Sequence, residues 1–248
     1  MFSKYDIIVV GAGHAGCEAA AAAANMGSKV LLVTMNMQTI AQMSCNPAMG
    51  GIAKGQIVRE IDALGGYSGI VSDKSMIQFR MLNKSKGPGM WSPRTQNDRH
   101  LFAQTWRELL ENTPNVDFWQ DSVNSLLVSR GTVCGVVTGM GLEIKARSVI
   151  ITSGTFLNGV IHVGEKQFGG GRMGEKGATG ITEQLVELGF EADRARRLPL
   201  SFAAAEIETY WSGRKLPELA PENFAAMAKA GMVAGVAGPG RSRRCRCP

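Results

Sequence analysis

Tyr5–Gly16, YDIIVVGAGHAG, is the stretch on which the fold turns. Strand-forming residues run to Val10, and the G-x-G-x-x-G spacing follows at Gly11, Gly13 and Gly16. An alanine-rich stretch from Cys17 to Asn25 then reads as a helix. Each glycine has a physical task. Gly11 allows the tight turn out of the strand, Gly13 lets backbone approach a pyrophosphate, and Gly16 lets the helix pack closely on the sheet. A diphosphate would sit on free N–H groups at the helix N-terminus, where the dipole favours negative charge. Lys29–Thr34 supplies a second strand and completes a β-α-β unit of the expected length. The prediction is an α/β fold with a Rossmann-like dinucleotide-binding core; the alternative is a glycine-rich turn that binds nothing.

Downstream, Ile57, Ile61 and Leu64 have helical spacing, and Gly65-Gly66 ends that segment. The polar, basic connection Asn83–Arg94 carries Gly87-Pro88-Gly89 and cannot be regular for long. Thr95-Gln-Asn-Asp98 reads as a capping box, with Leu101, Phe102, Leu109 and Leu110 as the apolar face of the helix it starts. Short strand-like runs follow at Val116–Gln120, Val123–Ser129, Val133–Thr138 and Leu142–Ala146. Turns at Arg130-Gly131 and Gly139–Gly141 predict a small antiparallel β-sheet inserted between parallel strands. Ser148–Ile151 reads as a buried parallel strand ending in Thr152-Ser153-Gly154, and Thr179–Leu188 as a helix closed by Gly189.

The 248 residues, 44% of them hydrophobic, suffice for a full core in one or two domains. No apolar run approaches the roughly 20 residues of a membrane span, and the N-terminus enters a strand directly, which predicts neither signal nor transit peptide. Five cysteines without paired spacing among Cys17, Cys45 and Cys134 fit a reducing compartment, so the expected location is the cytoplasm. The net charge of +6 invites a nucleic-acid reading, but residues 195–248 hold 9 Lys+Arg against 4 Asp+Glu and so carry nearly all of it. Nucleic-acid contact by the main body would need a local patch.

Two further segments bear chemistry. Gln42–Gly55, QMSCNPAMGGIAKG, lacks the Gly-Lys-Ser/Thr ending of a Walker-type loop, since Gln56 follows Gly55. It is a glycine-rich loop with one cysteine and one lysine, Cys45 and Lys54, in which Gly50 and Gly51 suit close backbone approach to a ligand. On residue type alone Cys45 is either a small buried filler or, near a helix N-terminus and a lysine, a thiolate of lowered pKa. Lys84, Lys86, Arg94 and Arg99 surround Trp91, a composition that suits either single-stranded RNA or an ordinary solvated loop. Gly169-Gly-Gly-Arg172-Met-Gly174 is either a mobile lid or a surface linker. The three histidines, His14, His100 and His162, have no partner spacing, and no metal site is expected.

Together GAGHAGCEAA, MSCNPAMGGIAKG, IDALGG, SKGPGMWSPRTQNDR and GTFLNGVIHVG resemble the MnmG family, also called GidA, from Tyr5 to about Arg194. The resemblance implies a tRNA-modifying FAD enzyme that uses NADH and methylene-tetrahydrofolate. It implies addition of an aminomethyl or carboxymethylaminomethyl group at C5 of the wobble uridine, together with the GTPase MnmE, by a cytoplasmic homodimer. Carried over residue by residue, Gly11, Ala12, Gly13, His14, Ala15 and Gly16 would cradle the FAD diphosphate. Val123 would meet the adenine side through its backbone. Ala178 would lie near the flavin, at a position where relatives often have serine. Cys45 matches a cysteine proposed to act at the uracil or the flavin. Lys54, Lys84, Lys86, Arg94 and Arg99 become candidate substrate or tRNA contacts.

Two departures stand out. Thr34, with Asn36 beside it, occupies the place where Asp or Glu often holds the ribose. After Arg194 the Thr-Gly-Thr-Pro-Pro-Arg block of the family is missing, and so is everything that follows it there, including the region that docks MnmE. The expectation is therefore an FAD-binding domain, N-terminal part, over 1–194, incomplete relative to the family and inactive alone. Residues 195–248 are expected to be an unassigned basic tail, disordered or out of frame. Two other functions compete: a small FAD/NAD-dependent oxidoreductase acting on a metabolite, and a non-catalytic RNA- or subunit-binding fragment carried by Arg241, Arg243, Arg244 and Arg246.

Overall fold

The computed structural model describes residues 4–44, 46–51 and 54–192; Cys45 and the tail from 195, with its arginines, lie outside the described residues. The chain runs β1 (Tyr5–Val10), α1 (His14–Asn25), β2 (Val30–Thr34), β3 (Ala48–Gly50), α2 (Lys54–Ala63), α3 (Ser68–Ser75), β4 (Met76–Leu82), β5 (Ser92–Asn97) and α4 (Arg99–Glu111). It continues through β6 (Val116–Gln120), β7 (Val123–Ser129), β8 (Thr132–Thr138), β9 (Glu143–Ile151), β10 (Val160–Val163), β11 (Lys166–Gly169) and α5 (Ile181–Glu187).

A six-stranded sheet in the order β6-β2-β1-β9-β8-β7 forms the centre. β1 pairs parallel with β2, Ile7 opposite Val30 and Val10 opposite Val33, and on its other side parallel with β9, Val10 opposite Ile151. Being covered on both faces, these strands read as continuous apolar runs. Val9, Val30 and Leu32 join Phe102, Trp106 and Leu110 of α4 and the alanines of α1 on one face; Ile8, Val10, Leu31 and Val33 join Val123, Leu126, Val136, Ile144 and Ile181 on the other. Alanine dominates α1 because a methyl lets the helix axis lie close to the sheet, and Ala19, Ala20, Ala21, Ala23 and Ala24 are all buried.

The inserted antiparallel sheet is present, with two changes. Leu142–Ala146 and Ser148–Ile151 are not separate strands. One strand, β9, pairs antiparallel with β8 through residues 143–145 and parallel with β1 through residues 146–151, so the insertion is continuous with the parallel sheet. Val116–Gln120, as β6, pairs parallel with β2 and lies outside the insertion. The outer edge of β7 is covered by α5, whose Gln184 side chain accepts from Leu126 N at 2.6 Å and donates to Leu126 O at 2.8 Å.

The cap of α4 is Asp98, not Thr95: its Oδ1 accepts from His100 N and Leu101 N, both at 2.9 Å. Thr95 belongs instead to β5 of a three-stranded sheet, β3-β5-β4. The buried stripe of α4 is Phe102, Trp106 and Leu110 at four-residue spacing, while Leu101 points to solvent. Glu18 of α1 is buried and caps α3, accepting from Ser68 N at 2.7 Å and from Tyr67 N at 3.1 Å. Anionic oxygen at a helix N-terminus is stabilised by both the orphan N–H groups and the dipole.

Glu18→Ala should therefore destabilise the chain by about 2–3 kcal/mol, the cost of leaving buried donors without a charged acceptor. Glu18→Gln should lose less, and Glu18→Ala matching the wild type in urea denaturation would remove this account of α3.

Candidate dinucleotide site

β1 delivers the chain to Gly11, whose φ of +102° is a left-handed conformation that favours glycine. A Cβ there would lie 2.8 Å from the Thr152 carbonyl oxygen. One on Gly16 would lie 1.8 Å from the Gly11 carbonyl oxygen and 2.8 Å from Thr152 Oγ1. Both glycines are thus required by close approach of helix, turn and β9. Thr152 ties the three together: its N–H donates to Val10 O, and its hydroxyl lies 2.9 Å from the Val10 and Gly11 carbonyl oxygens. Gly13 differs. It is exposed, nothing lies within 4 Å of its Cβ direction, and as N-cap of α1 it offers no side chain to the helix N–H groups. The first turn of α1 holds no acidic residue. This open, uncapped N-terminus of a twelve-residue helix fits an anionic group of a ligand.

The remaining predicted residues fall into three groups. Ala12 is buried and its carbonyl accepts from Ala41 N at 2.8 Å. Ala15 is half-buried in the first turn. His14 directs Nε2 to the Ala41 carbonyl oxygen at 3.1 Å and its ring toward Phe102, so only its backbone is left to face a phosphate. Val123 begins β7 with its side chain buried, opposite Thr138, which leaves only backbone for a ligand. Ala178 donates to Phe156 O and accepts from Asn158 N, so its backbone is already engaged and a methyl remains.

Lys54 opens α2, exposed and near enough to His14 for its charge to act there. Lys84, Lys86 and Trp91 lie together in the β4–β5 connection, with Trp91 Nε1 donating to Lys84 O at 3.2 Å. Arg94 sits on β5 opposite Arg80 of β4, a basic neighbour the sequence alone did not single out. Arg99 is exposed in the first turn of α4, apart from that pair in register. Gly50 closes on backbone rather than ligand: its Cβ would lie 2.2 Å from the Pro93 carbonyl oxygen of β5. Gly171 is seated against Phe156, and Gly170 N donates to Gly159 O at 2.9 Å, so the middle of the glycine run is packed while Gly169 and Gly174 stand exposed with open space beside them. Thr34 and Asn36 serve the chain locally, Asn36 Oδ1 capping the following turn by accepting from Gln38 N at 2.9 Å. Among the described residues, no cluster of His, Cys, Asp and Glu could hold a metal ion. Likewise, no described helix is long and apolar enough to cross a membrane.

Two titratable groups are shifted at this site. Burial pushes the Cys17 thiol far up, with the Glu18 carboxylate adding to the effect, so Cys17 is an inert core thiol. Desolvation holds His14 below its ordinary 6.5; the Ala41 carbonyl opposes this, and the Arg172 and Lys54 charges reinforce it.

The sheet, the turn and the uncapped helix are those of the Rossmann-like dinucleotide-binding class of α/β proteins. A family model described as glucose inhibited division protein A matches residues 6–196. The chain is 78% identical over 196 residues to the tRNA uridine 5-carboxymethylaminomethyl modification enzyme MnmG of Cytophaga hutchinsonii, covering 79% of this chain and 32% of that protein. The MnmG of Flavobacterium johnsoniae is 70% identical over 193 residues, 78% of this chain and 31% of that one. Aquifex aeolicus GidA in its form II crystal superposes with a TM-score of 0.73 at 47% identity, covering 76% of this chain and 31% of that one. The GidA-related protein of Thermus thermophilus, at 21% identity and a TM-score of 0.56 over 76% of this chain and 70% of that one, shares the fold. The chain belongs to the glucose inhibited division protein A family, GidA/MnmG, and spans about a third of the length of the curated relatives it matches.

A histidine kept neutral when folded stabilises fully above its unfolded pKa, and that stability is lost as pH falls from 6.5 toward the lowered folded value. The Tm of the wild type should therefore fall more steeply from pH 7 to 5 than that of His14→Gln. Parallel curves would show that His14 contributes nothing to acid sensitivity.

Proposed function

We propose that residues 1–194 form the N-terminal part of the FAD-binding domain of a tRNA uridine-modifying enzyme. The observation that carries this is the uncapped α1 N-terminus at Gly13, set between glycines that cannot accept a Cβ, in a chain 78% identical to an MnmG. FAD, when bound, supplies the two-electron redox chemistry. The turn from Gly11 to Gly16 would cradle its diphosphate, with Gly13 leaving room for it, the Gly11 N–H itself being given to Val33 O, and the Val123 backbone would face its adenine side. Ala178 would border the flavin with its methyl. Cys45 serves the uracil: its thiolate adds to C6 and places electron density on C5, where the new carbon bond forms.

In this reading the whole enzyme is a cytoplasmic homodimer that works with MnmE, NADH and methylene-tetrahydrofolate to place an aminomethyl or carboxymethylaminomethyl group at C5. The basic hairpin carrying Lys84, Lys86 and Arg94, with Lys54 and Arg99, faces the tRNA. Relatives bearing the name MnmG and the packing of Trp91 beside Lys84 support the tRNA assignment over a small-metabolite oxidoreductase.

Two measurements test it. Titration of the 248-residue chain with FAD should show saturable binding that Gly16→Val abolishes; equal binding by both would remove the fingerprint from the site. A chimera in which residues 1–194 replace the matching part of Cytophaga hutchinsonii MnmG should restore wobble-uridine modification in a strain lacking that activity. The same chimera carrying Cys45→Ala should not. A folded, FAD-loaded chimera that leaves the nucleoside unmodified would sink the tRNA assignment.

A further inference from the structure

The parallel strands run outward from β1 through β2 to β6 on one side and directly to β9 on the other. The switch point of the sheet therefore falls between β1 and β9, and ligands of such sheets bind in the crevice beyond the carboxyl ends of the strands. Three loops meet there: the fingerprint turn after β1, the segment 35–44 after β2, and the segment after β9. Ala41 N donates to Ala12 O, His14 Nε2 meets Ala41 O, and Gln42 N donates to Thr39 O, so the β2 loop is held to the fingerprint. On the other side Thr155 Oγ1 donates to Gly171 O at 2.8 Å, and Gly171 lies against Phe156.

Arg172 joins the two halves. Its Nη1 donates to Gln42 Oε1, across 130 residues of sequence, while lying 3.7 Å from Glu175 Oε1. Its guanidinium carbon sits 5.4 Å from the Phe156 ring centroid. The side chain is 24% exposed, so it is held on three sides rather than solvated freely. A strained backbone position lies at the same junction. Ala41, buried, has a φ of +51°, a conformation that a non-glycine residue keeps only where its surroundings over-determine it.

We propose that Arg172 is a positioning residue of the dinucleotide crevice, clasping the β2 loop through Gln42 to the segment after β9 and setting a positive charge beside the fingerprint turn. This rests on the dinucleotide reading for its purpose but not for its geometry. The guanidinium suits the task, since Nη1 meets both the Gln42 amide oxygen and the Glu175 carboxylate while its plane lies beside the Phe156 ring. Arg172 and Lys54 then supply positive charge to the side of α1 where its own dipole is positive. An anionic ligand would meet three sources of the same sign in a crevice already closed on the β2 side.

The test uses the full 248-residue chain and three variants, Arg172→Gln, Arg172→Lys and Gln42→Ala. Hydrogen exchange of residues 39–44 should rise on the order of tenfold in all three, the size of a lost charge-assisted hydrogen bond, with β1 and α1 unchanged. By NMR titration His14 should move up toward its ordinary value in Arg172→Gln but stay low in Arg172→Lys and Gln42→Ala, which a merely structural role for Arg172 would not produce. FAD affinity should weaken on the order of tenfold in Arg172→Gln. Should Arg172→Gln unfold globally, Gln42→Ala and Arg172→Lys decide the clasp by exchange alone. Wild-type exchange at 39–44 in Gln42→Ala, or an unmoved His14 in a folded Arg172→Gln, overturns the proposal. A wild-type chain that takes up no FAD sinks the dinucleotide reading on its own, and exchange and titration still decide the clasp.

Discussion

Contact between the first turn of α1 and the Gly11 carbonyl oxygen sets the distance on which the sheet and site both depend. With no Cβ at Gly16, α1 can lie directly over the end of β1, and the Thr152 hydroxyl can reach two carbonyl oxygens of the turn. A methyl at Gly16 would have to displace the turn, β9 or the helix, because the nearest atom it meets is backbone. The alanines of α1 extend the same constraint along the helix. Larger side chains there would lift it from Val9, Val30 and Leu32 and open the packed face shared with α4. The openness of Gly13 follows from this placement: the helix N-terminus arrives at the end of β1 with no side chain capping its N–H groups, and close packing behind it keeps it there.

That constraint is local in sequence, which is why β1, α1 and β2 were legible from the chain alone. α2 was also legible as a helix from Ile57, Ile61 and Leu64, yet in the structure Ile57 and Leu64 are exposed and Gly55 is its buried residue. Periodicity reports a capacity to bury a face; whether a neighbour covers it is a tertiary fact. α3 and β4 gave no signal. The inner face of α3 is built from Ser68, Ser72 and Ser75 besides Val71, with the Ser72 and Ser75 hydroxyls donating to carbonyls one turn back at 2.6 and 2.7 Å. A buried face made of serine has no hydrophobic period to read.

β9 shows a different limit. Its two halves were each read as strands, correctly by composition, but nothing local reveals that Ala146 is where the partner changes from β8 to β1. The capping residue of α4 was displaced for a similar reason. Thr95 has the right type and spacing, but its hydroxyl donates to Asn97 Oδ1 at 2.8 Å, and Asn97 in turn donates to Ser72 O and Ser75 Oγ, each at 2.9 Å. A buried polar network claimed the residue, and Asp98 took the cap. Much of the SKGPGMWSPRTQNDR motif is thus framework, holding β5 to α3, while its exposed basic residues divide between the β4–β5 connection, Lys86, and the first turn of α4, Arg99.

Charge separates the two kinds of information most sharply. The net +6 of the chain, concentrated in residues 195–248, says little about the site. The charges that shape it are few and local: Lys54 and Arg172 around His14, brought together from α2 and from the loop after β11. Arg172, mostly withdrawn from water, is screened less than the exposed Lys54, whose charge water and salt weaken. The helix N-terminus adds the same sign through fixed dipoles that need no reorganisation. Arg172 matters to this field because its position is fixed by Gln42 and Glu175, and a charge held in place contributes a directed potential that a mobile surface lysine cannot match.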